Sequence, residues 1–130
     1  MQHAMIYPMA AHVVWCAVLY CALTVARAPA VWGVGRRADG GNPFALWEPR
    51  ISANLSNQFE WPLLFHIAGV LHIVQPSHTQ TALTLAWLFI AGRLAHSAVQ
   101  ICTGNIRLRG AVFSINFLAA LGLWLCLLWP

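Results

Sequence analysis

Polar side chains that could bind a small charged ligand are concentrated in one stretch of the sequence, residues 50–65. Arg50, Asn54 and Asn57 recur there at spacings of four and three residues. At 100° per residue they fall within about 60° of one another on a helix, and Glu60 lies about 60° further round. A guanidinium, two amides and a carboxylate on one side of a helix suit a ligand that carries both signs of charge.

A second polar group lies about 35 residues further along the chain, by the numbering of the sequence. Arg93, His96 and Gln100 share one helical face, because their spacing is i, i+3 and i+7. Arg109 follows at the start of the next apolar segment. Arginine suits the recognition of carboxylates, since its fork is bidentate and always charged. The two groups together predict a site for a small zwitterionic or polyanionic ligand.

The chain as a whole is too apolar for a protein that folds in water. Of its 130 residues 60% are hydrophobic and 8% are charged, whereas about a quarter of a soluble domain is charged. Its apolar segments are each long enough to cross a bilayer, which takes about 20 helical residues. We expect an all-α integral membrane protein, a four-helix bundle formed by one domain over residues 1–130. The predicted helices are residues 6–26, 51–74, 79–102 and 107–129, with a kink at Pro62 in the second.

Arginine supplies all of the positive charge, and the net charge is +4. The arginines lie at the ends of apolar segments rather than on a basic face, which argues against nucleic acid as a partner. Six of the seven flank the first and third connections between segments, namely Arg27, Arg36, Arg37, Arg50, Arg107 and Arg109. The positive-inside rule therefore predicts that these connections are cytoplasmic and that both termini lie outside the cytoplasm.

Glu60 and Arg93 are charged residues inside apolar segments. Each lies about ten residues from the cytoplasmic end of its segment, so at ~1.5 Å per residue the two share a depth in the membrane. This predicts a Glu60–Arg93 ion pair or a polar cleft that holds both side chains. Such a pair could serve only to lock helix packing, or it could mark a functional site.

Histidines are frequent enough in the sequence for a metal site to be considered. His66, His72 and His78 recur every six residues, which separates neighbours by about 240° on a helix. They do not share a face, and no acidic or thiolate ligand stands at a usable spacing. We therefore expect no metal.

Two motifs resemble signatures of the MAPEG family, the membrane-associated proteins in eicosanoid and glutathione metabolism. One is Asn54-x-x-Asn57-x-Phe59-Glu60-x-Pro62-x-Leu64-Phe65, which is similar to the second-helix signature in the form seen in bacterial members. The other is Gly92-Arg93-Leu-Ala-His96-Ser97, which is similar to the third-helix signature. The resemblance covers most of the chain from Arg50 onward and implies a protein of the bacterial inner membrane.

The resemblance also implies an assembly and a ligand. Four-helix protomers would form a homotrimer among membrane lipids, with glutathione between helices of adjacent protomers and open to the cytoplasm. Carried over by position, Asn57 and Glu60 would hold the polar ends of glutathione. Arg50 and Asn54 would belong to the same wall of the cleft.

The remaining site residues come from the third and fourth segments. By resemblance, Arg93 and His96 would support the cleft. Arg109 stands sixteen residues after Arg93, where glutathione-using members carry an arginine, and it would favour the thiolate as an adjacent cation does. Arg109 is therefore the predicted catalytic residue.

Two functions remain open from the sequence. The first is a glutathione-dependent transferase or peroxidase that acts on lipophilic electrophiles at the cytoplasmic membrane boundary. The second is a non-catalytic membrane protein, either an accessory subunit of a larger membrane complex or a binder of a lipid-like ligand. Ser56, Gln100 and Phe113 favour the second, because catalytic members carry an arginine and two tyrosines at these places.

Overall fold

A computed structural model describes residues 4–75 and 80–129, and all regular secondary structure in these two ranges is helical. The helices are α1 (Ile6–Trp32), α2 (Glu48–Ser56), α3 (Pro62–Val74), α4 (Gln80–Cys102) and α5 (Ile106–Leu128). The all-α prediction is confirmed, whereas four continuous helices were expected and five are present. The predicted link at residues 75–78 and the predicted start of the third segment at Thr79 fall largely outside the described residues.

The second apolar segment forms two helices rather than one kinked helix. Helix α2 ends at Ser56 with Asn57 as its C-cap, and α3 begins with Pro62 in its first turn. Proline has no N–H and is well suited to the first turn of a helix, but inside a helix it removes a backbone hydrogen bond. Residues 57–61 therefore form a break between two helices.

Helix α1 is longer than predicted, ending at Trp32 rather than near residue 26. Pro29 lies inside it without ending it. Gly33 caps the helix in the left-handed conformation, with φ 72°. Arg36 donates from Nε to the Pro29 carbonyl oxygen at 2.7 Å. These C-terminal contacts satisfy carbonyls that the last turn would otherwise leave unpaired.

Three of the helices, α1, α4 and α5, are long and apolar enough to cross a membrane. Helix α3 is also apolar but has only 13 residues. At ~1.5 Å per residue it spans about 20 Å, less than the ~30 Å hydrocarbon core. It needs the break and α2 to complete a passage across the bilayer.

Two buried apolar clusters lie at different levels of the bundle. One joins α3, α4 and α5, and at its centre Phe65 stacks on Phe89 with ring centroids 4.2 Å apart. The other joins α1 and α2 around Leu23 and Leu55. Along α4 the buried polar residues from Arg93 to Gln100 follow the last buried residue of the first cluster. Most of the buried polar residues thus form a layer between the two apolar clusters; the buried His72 lies apart from it, against Leu123 of the first cluster.

Candidate functional site

The centre of the buried polar layer is Gln58, the second residue of the α2–α3 break, which is only 2% exposed. Its carbonyl Oε1 accepts from Arg93 Nε at 3.1 Å and lies 3.0 Å from His12 Nε2. Its Nε2 lies within donating distance of Asn54 Oδ1, at 3.2 Å, and of Ser97 Oγ, at 3.3 Å. We call these five residues the Gln58 network; it ties α1, α2 and α4 to the break.

Arg93 is held by backbone and amide oxygens rather than by a carboxylate. Besides its contact with Gln58, its Nη2 donates to the carbonyl oxygen of Asn57 at 3.0 Å. This carbonyl lies where α2 ends, so the helix break supplies an acceptor to the arginine. No ion pair joins Arg93 to Glu60 in the part of the chain that the structure describes; the ion pair recorded there is Arg27–Glu48.

Glu60 and Arg93 instead line the same cavity, so the second of the two sequence-based alternatives is correct. This cavity, the polar cleft, has a volume of about 110 Å³. It is lined by Asn57, Glu60, Trp61, Arg93, His96 and Phe113. Four of the seven predicted site residues therefore meet in one place.

Two nitrogen atoms of the residues around the polar cleft have no hydrogen-bond partner within the described ranges. They are Trp61 Nε1 and His96 Nδ1, and both are buried. Arg93 uses two of the five N–H donors that a guanidinium carries. Since buried polar groups are nearly always paired, these two nitrogens are unsatisfied hydrogen-bonding groups of residues that line the cleft.

Arg50 and Asn54 lie on the predicted face of α2, but they contact α4 rather than the cleft. Arg50 Nη1 donates to the Ile101 carbonyl oxygen at 3.2 Å, and Asn54 Nδ2 donates to Gln100 Oε1 at 2.9 Å. Asn57 Nδ2 shares the Gln100 acceptor at 3.1 Å. Arg50 and Asn54 thus fix α2 against α4, while Asn57 reaches both α4 and the cleft.

Arg109 lies apart from the polar cleft, in an exposed position near the N-terminus of α5. It lines a separate cavity of about 50 Å³ beside Gln100 and the turn at residues 103–105. Asn57 and Gln100 connect the two cavities, because their side chains are hydrogen-bonded. The structure therefore places the predicted catalytic residue next to the cleft but not inside it.

Gln58 and His12 are the polar residues that sequence reasoning missed. Gln58 is four residues after Asn54 in the polar stretch, and this helical spacing is the signal in the sequence that indicates it. His12 stands alone in an apolar segment, with no local pattern that indicates its partners. Its Nδ1 lies 3.0 Å from Nε2 of His66.

The histidines considered as metal ligands do not converge. His66 contacts His12, whereas Nε2 of the buried His72 lies 3.0 Å from the Leu123 carbonyl oxygen. His78 lies outside the described residues. Within residues 4–75 and 80–129 there is no group of three or more histidine, cysteine or acidic side chains that could hold a metal ion.

The fold and the polar layer define an all-helical protein whose long apolar helices enclose a buried hydrogen-bond network. A sequence model of the MAPEG family matches residues 5–129 of the 130. The chain therefore belongs to the MAPEG family, a family of membrane proteins, and the resemblance seen in its two polar motifs is confirmed. No curated protein and no solved structure matches the chain.

Proposed function

We propose that this protein binds glutathione in the polar cleft and uses it to attack lipophilic electrophiles dissolved in the membrane. MAPEG members commonly use glutathione as a substrate or cofactor, and they include both transferases and non-catalytic proteins. The observation that carries the proposal is the meeting of Asn57, Glu60, Arg93 and His96 around one cavity.

The residues around the cleft fit a ligand that has both carboxylates and an ammonium group. Glu60 is exposed and without an ion-pair partner in the described ranges, so it is free to accept an ammonium group. Trp61 Nε1 is an unpaired donor, and Arg93 keeps donors that its protein contacts do not use. Each of these groups suits the carboxylates of a peptide.

The volume of the cleft supports an assembly of several copies. Its 110 Å³ is well below the ~300–1,000 Å³ of typical small-molecule sites. One protomer therefore offers only part of a site for a tripeptide. MAPEG members are often homotrimers, and in a homotrimer a second copy would supply the remaining wall.

Arg109 is the proposed catalytic residue. When bound, glutathione supplies a thiol, which becomes a strong nucleophile as the thiolate. Arg109 supplies a guanidinium cation, and an adjacent cation favours a thiolate. Arg109 is exposed on α5, and the hydrogen-bonded pair of Asn57 and Gln100 joins its cavity to the cleft.

The arginine distribution supports a cytoplasmic opening for this site in the bacterial inner membrane. Arg27 and Glu48 pair at 2.6 Å, and Arg50 contacts the end of α4, so the arginine-flanked ends of α1, α2 and α4 lie together. Asn57, which lines the cleft, donates to Gln100, which lies near this end of α4. Glutathione is a cytoplasmic thiol, which agrees with a cleft that opens on this side.

Isothermal titration of the purified protein with glutathione tests the proposal. We expect wild-type protein to bind and Arg109→Ala to bind more weakly and to lose transferase activity toward an apolar electrophile. Arg107→Ala is the matched control, because Arg107 is also exposed on α5 but does not line either cavity. Absence of binding at millimolar glutathione, or equal losses in both variants, would contradict the proposal.

A second candidate function is that of a non-catalytic membrane protein, an accessory subunit of a larger complex or a binder of a lipid-like ligand. Phe113 offers the cleft no hydroxyl, and Gln100 Oε1 is already occupied by two amide donors. Extraction in gentle detergent followed by native mass measurement distinguishes the two. Copurification of a defined partner with no turnover of glutathione would favour the accessory subunit.

A further inference from the structure

A third cavity, the apolar cavity, lies between α1 and α3 and is larger than the polar cleft and the cavity beside Arg109, with a volume of about 360 Å³. This volume is within the ~300–1,000 Å³ range of sites for small molecules. Its walls are largely apolar, with Val13, Tyr20, Phe59 and Leu63 among them. All four are more than half exposed in the protomer. The polar groups in its lining include three members of one hydrogen-bonded chain, His12, Gln58 and His66.

The proton positions in this chain follow from Arg93. Arginine can only donate, so the Gln58 atom that faces Arg93 Nε at 3.1 Å must be the carbonyl oxygen. The same oxygen lies 3.0 Å from His12 Nε2, which therefore carries a hydrogen and donates. A neutral histidine has one N–H, so His12 Nδ1 is left as an acceptor.

His66 is the next member of this hydrogen-bonded chain. Its Nε2 lies 3.0 Å from His12 Nδ1 and must donate to it. His66 Nδ1 is then an acceptor in the neutral ring, and it has no hydrogen-bond partner in residues 4–75 and 80–129. A charged imidazole among apolar side chains would be costly, which favours the neutral form.

We propose that the apolar cavity binds an apolar small molecule that carries one hydroxyl group, an alcohol or a phenol, which donates its hydrogen bond to His66 Nδ1. A hydroxyl supplies the donor that this nitrogen requires without a charge that the apolar walls would have to bury. In the protomer the cavity is open at the edge formed by its exposed residues, so such a molecule can enter there. This site does not depend on glutathione and goes beyond the function proposed above.

Binding of dodecanol and of dodecyl methyl ether to the full-length protein in lipid nanodiscs tests this assignment. The ether has a similar chain and oxygen but no donor. Displacement of tritiated dodecanol by each unlabelled compound gives the two affinities. We expect the ether to bind about fivefold more weakly, as is typical for the loss of one hydrogen bond, and His66→Phe to bind both compounds equally.

Two further variants distinguish binding in the apolar cavity from non-specific binding elsewhere on the exposed apolar surface. Val13 and Val14 are neighbours on α1 with similar exposure, 60% and 62%, but only Val13 lines the cavity. Val13→Phe should lower the affinity for dodecanol at least tenfold, and Val14→Phe should not change it. Equal affinity of the wild type for alcohol and ether, or equal effects of the two valine substitutions, would overturn the proposal. Glutathione titration of the same variants reports separately on the polar cleft.

Discussion

Gln58 joins groups that no charged residue could join in its place. Its carbonyl serves two donors, Arg93 and His12, while its amide nitrogen serves Asn54 and Ser97. A carboxylate at this position would lose the donor half of these contacts, and an aliphatic side chain would lose all of them. A neutral amide is therefore better suited to the centre of the layer than a charge.

We expect Gln58→Leu to lower the free energy of unfolding by about 2–4 kcal/mol, because it leaves the buried Arg93 and His12 donors unpaired. Gln58→Glu should cost less, since it keeps the acceptor for both. Unfolding in mixed micelles by titration with a denaturing detergent measures both values. Ser56→Ala is the control, since Ser56 is exposed and its hydroxyl contacts only its own helix. A Gln58→Leu variant as stable as this control would contradict the expectation.

The sequence predicted the participants of the polar layer better than their contacts. The helical spacing placed Arg50, Asn54 and Asn57 on one face, and all three contact α4. The same spacing failed for Glu60, because the chain leaves the helix after Ser56 and 100° per residue no longer applies. The Gln58 contacts could not be predicted, since they depend on how the break turns this residue inward.

At the scale of the helices, the break between α2 and α3 and the burial of Arg93 stabilise each other, because the break frees a carbonyl that Arg93 uses. A continuous helix would use the Asn57 carbonyl for a backbone bond four residues later. In the structure that carbonyl accepts from Arg93 instead. Pro62 indicated a disturbance at this point, but proline alone is compatible with a kink or with a break. The partner that stabilises the break comes from another helix, so local sequence could not decide between the two.

The contact between α4 and α5 depends on Gly92. A Cβ atom at this position would lie 3.2 Å from Cγ of Asn116, and closer still to its Oδ1. Asn116 is fully buried between the helices, so it has no room to move away. A Cβ at Gly110, by contrast, would meet nothing within 4 Å.

We therefore expect Gly92→Ala to destabilise the protein by about 1–3 kcal/mol through overpacking. Gly110→Ala should be neutral or stabilise it by up to ~1 kcal/mol, because alanine favours helix. The midpoint of thermal unfolding in detergent compares the two variants with the wild type. The α4–α5 packing described above would be wrong if both substitutions shifted the midpoint alike.

At the scale of the whole molecule, the small volume of the polar cleft connects ligand binding to assembly. If a second copy completes the site, glutathione binds the trimer and not the monomer. Glutathione at 100 times its Kd should then stabilise the trimer by about 2.7 kcal/mol for each occupied site. Native mass spectrometry at increasing detergent measures the trimer fraction with and without glutathione. Arg109→Ala should reduce the stabilisation, and equal glutathione binding by monomer and trimer would contradict a shared site.

The orientation of the chain in the membrane tests two expectations. One is that α3, together with α2, crosses the bilayer, and the other is that the arginine-flanked connections are cytoplasmic. Asp39 lies in the connection between α1 and α2, and Gln75 follows α3; both are exposed. In a background without the four native cysteines, Asp39→Cys and Gln75→Cys can each be labelled with a membrane-impermeant maleimide. Positive charge holds arginine-rich connections in the cytoplasm, so Asp39→Cys should react in inside-out vesicles and Gln75→Cys in right-side-out vesicles.

The two labelling patterns that would contradict this expectation have different structural meanings. Exchange of the two reactive sides would show that the arginine-flanked connections lie outside. Labelling of both variants from one side would show that α2 and α3 turn back without crossing. We expect them to cross, because the 9 residues of α2, the break and the 13 residues of α3 together exceed the ~20 helical residues that a bilayer requires.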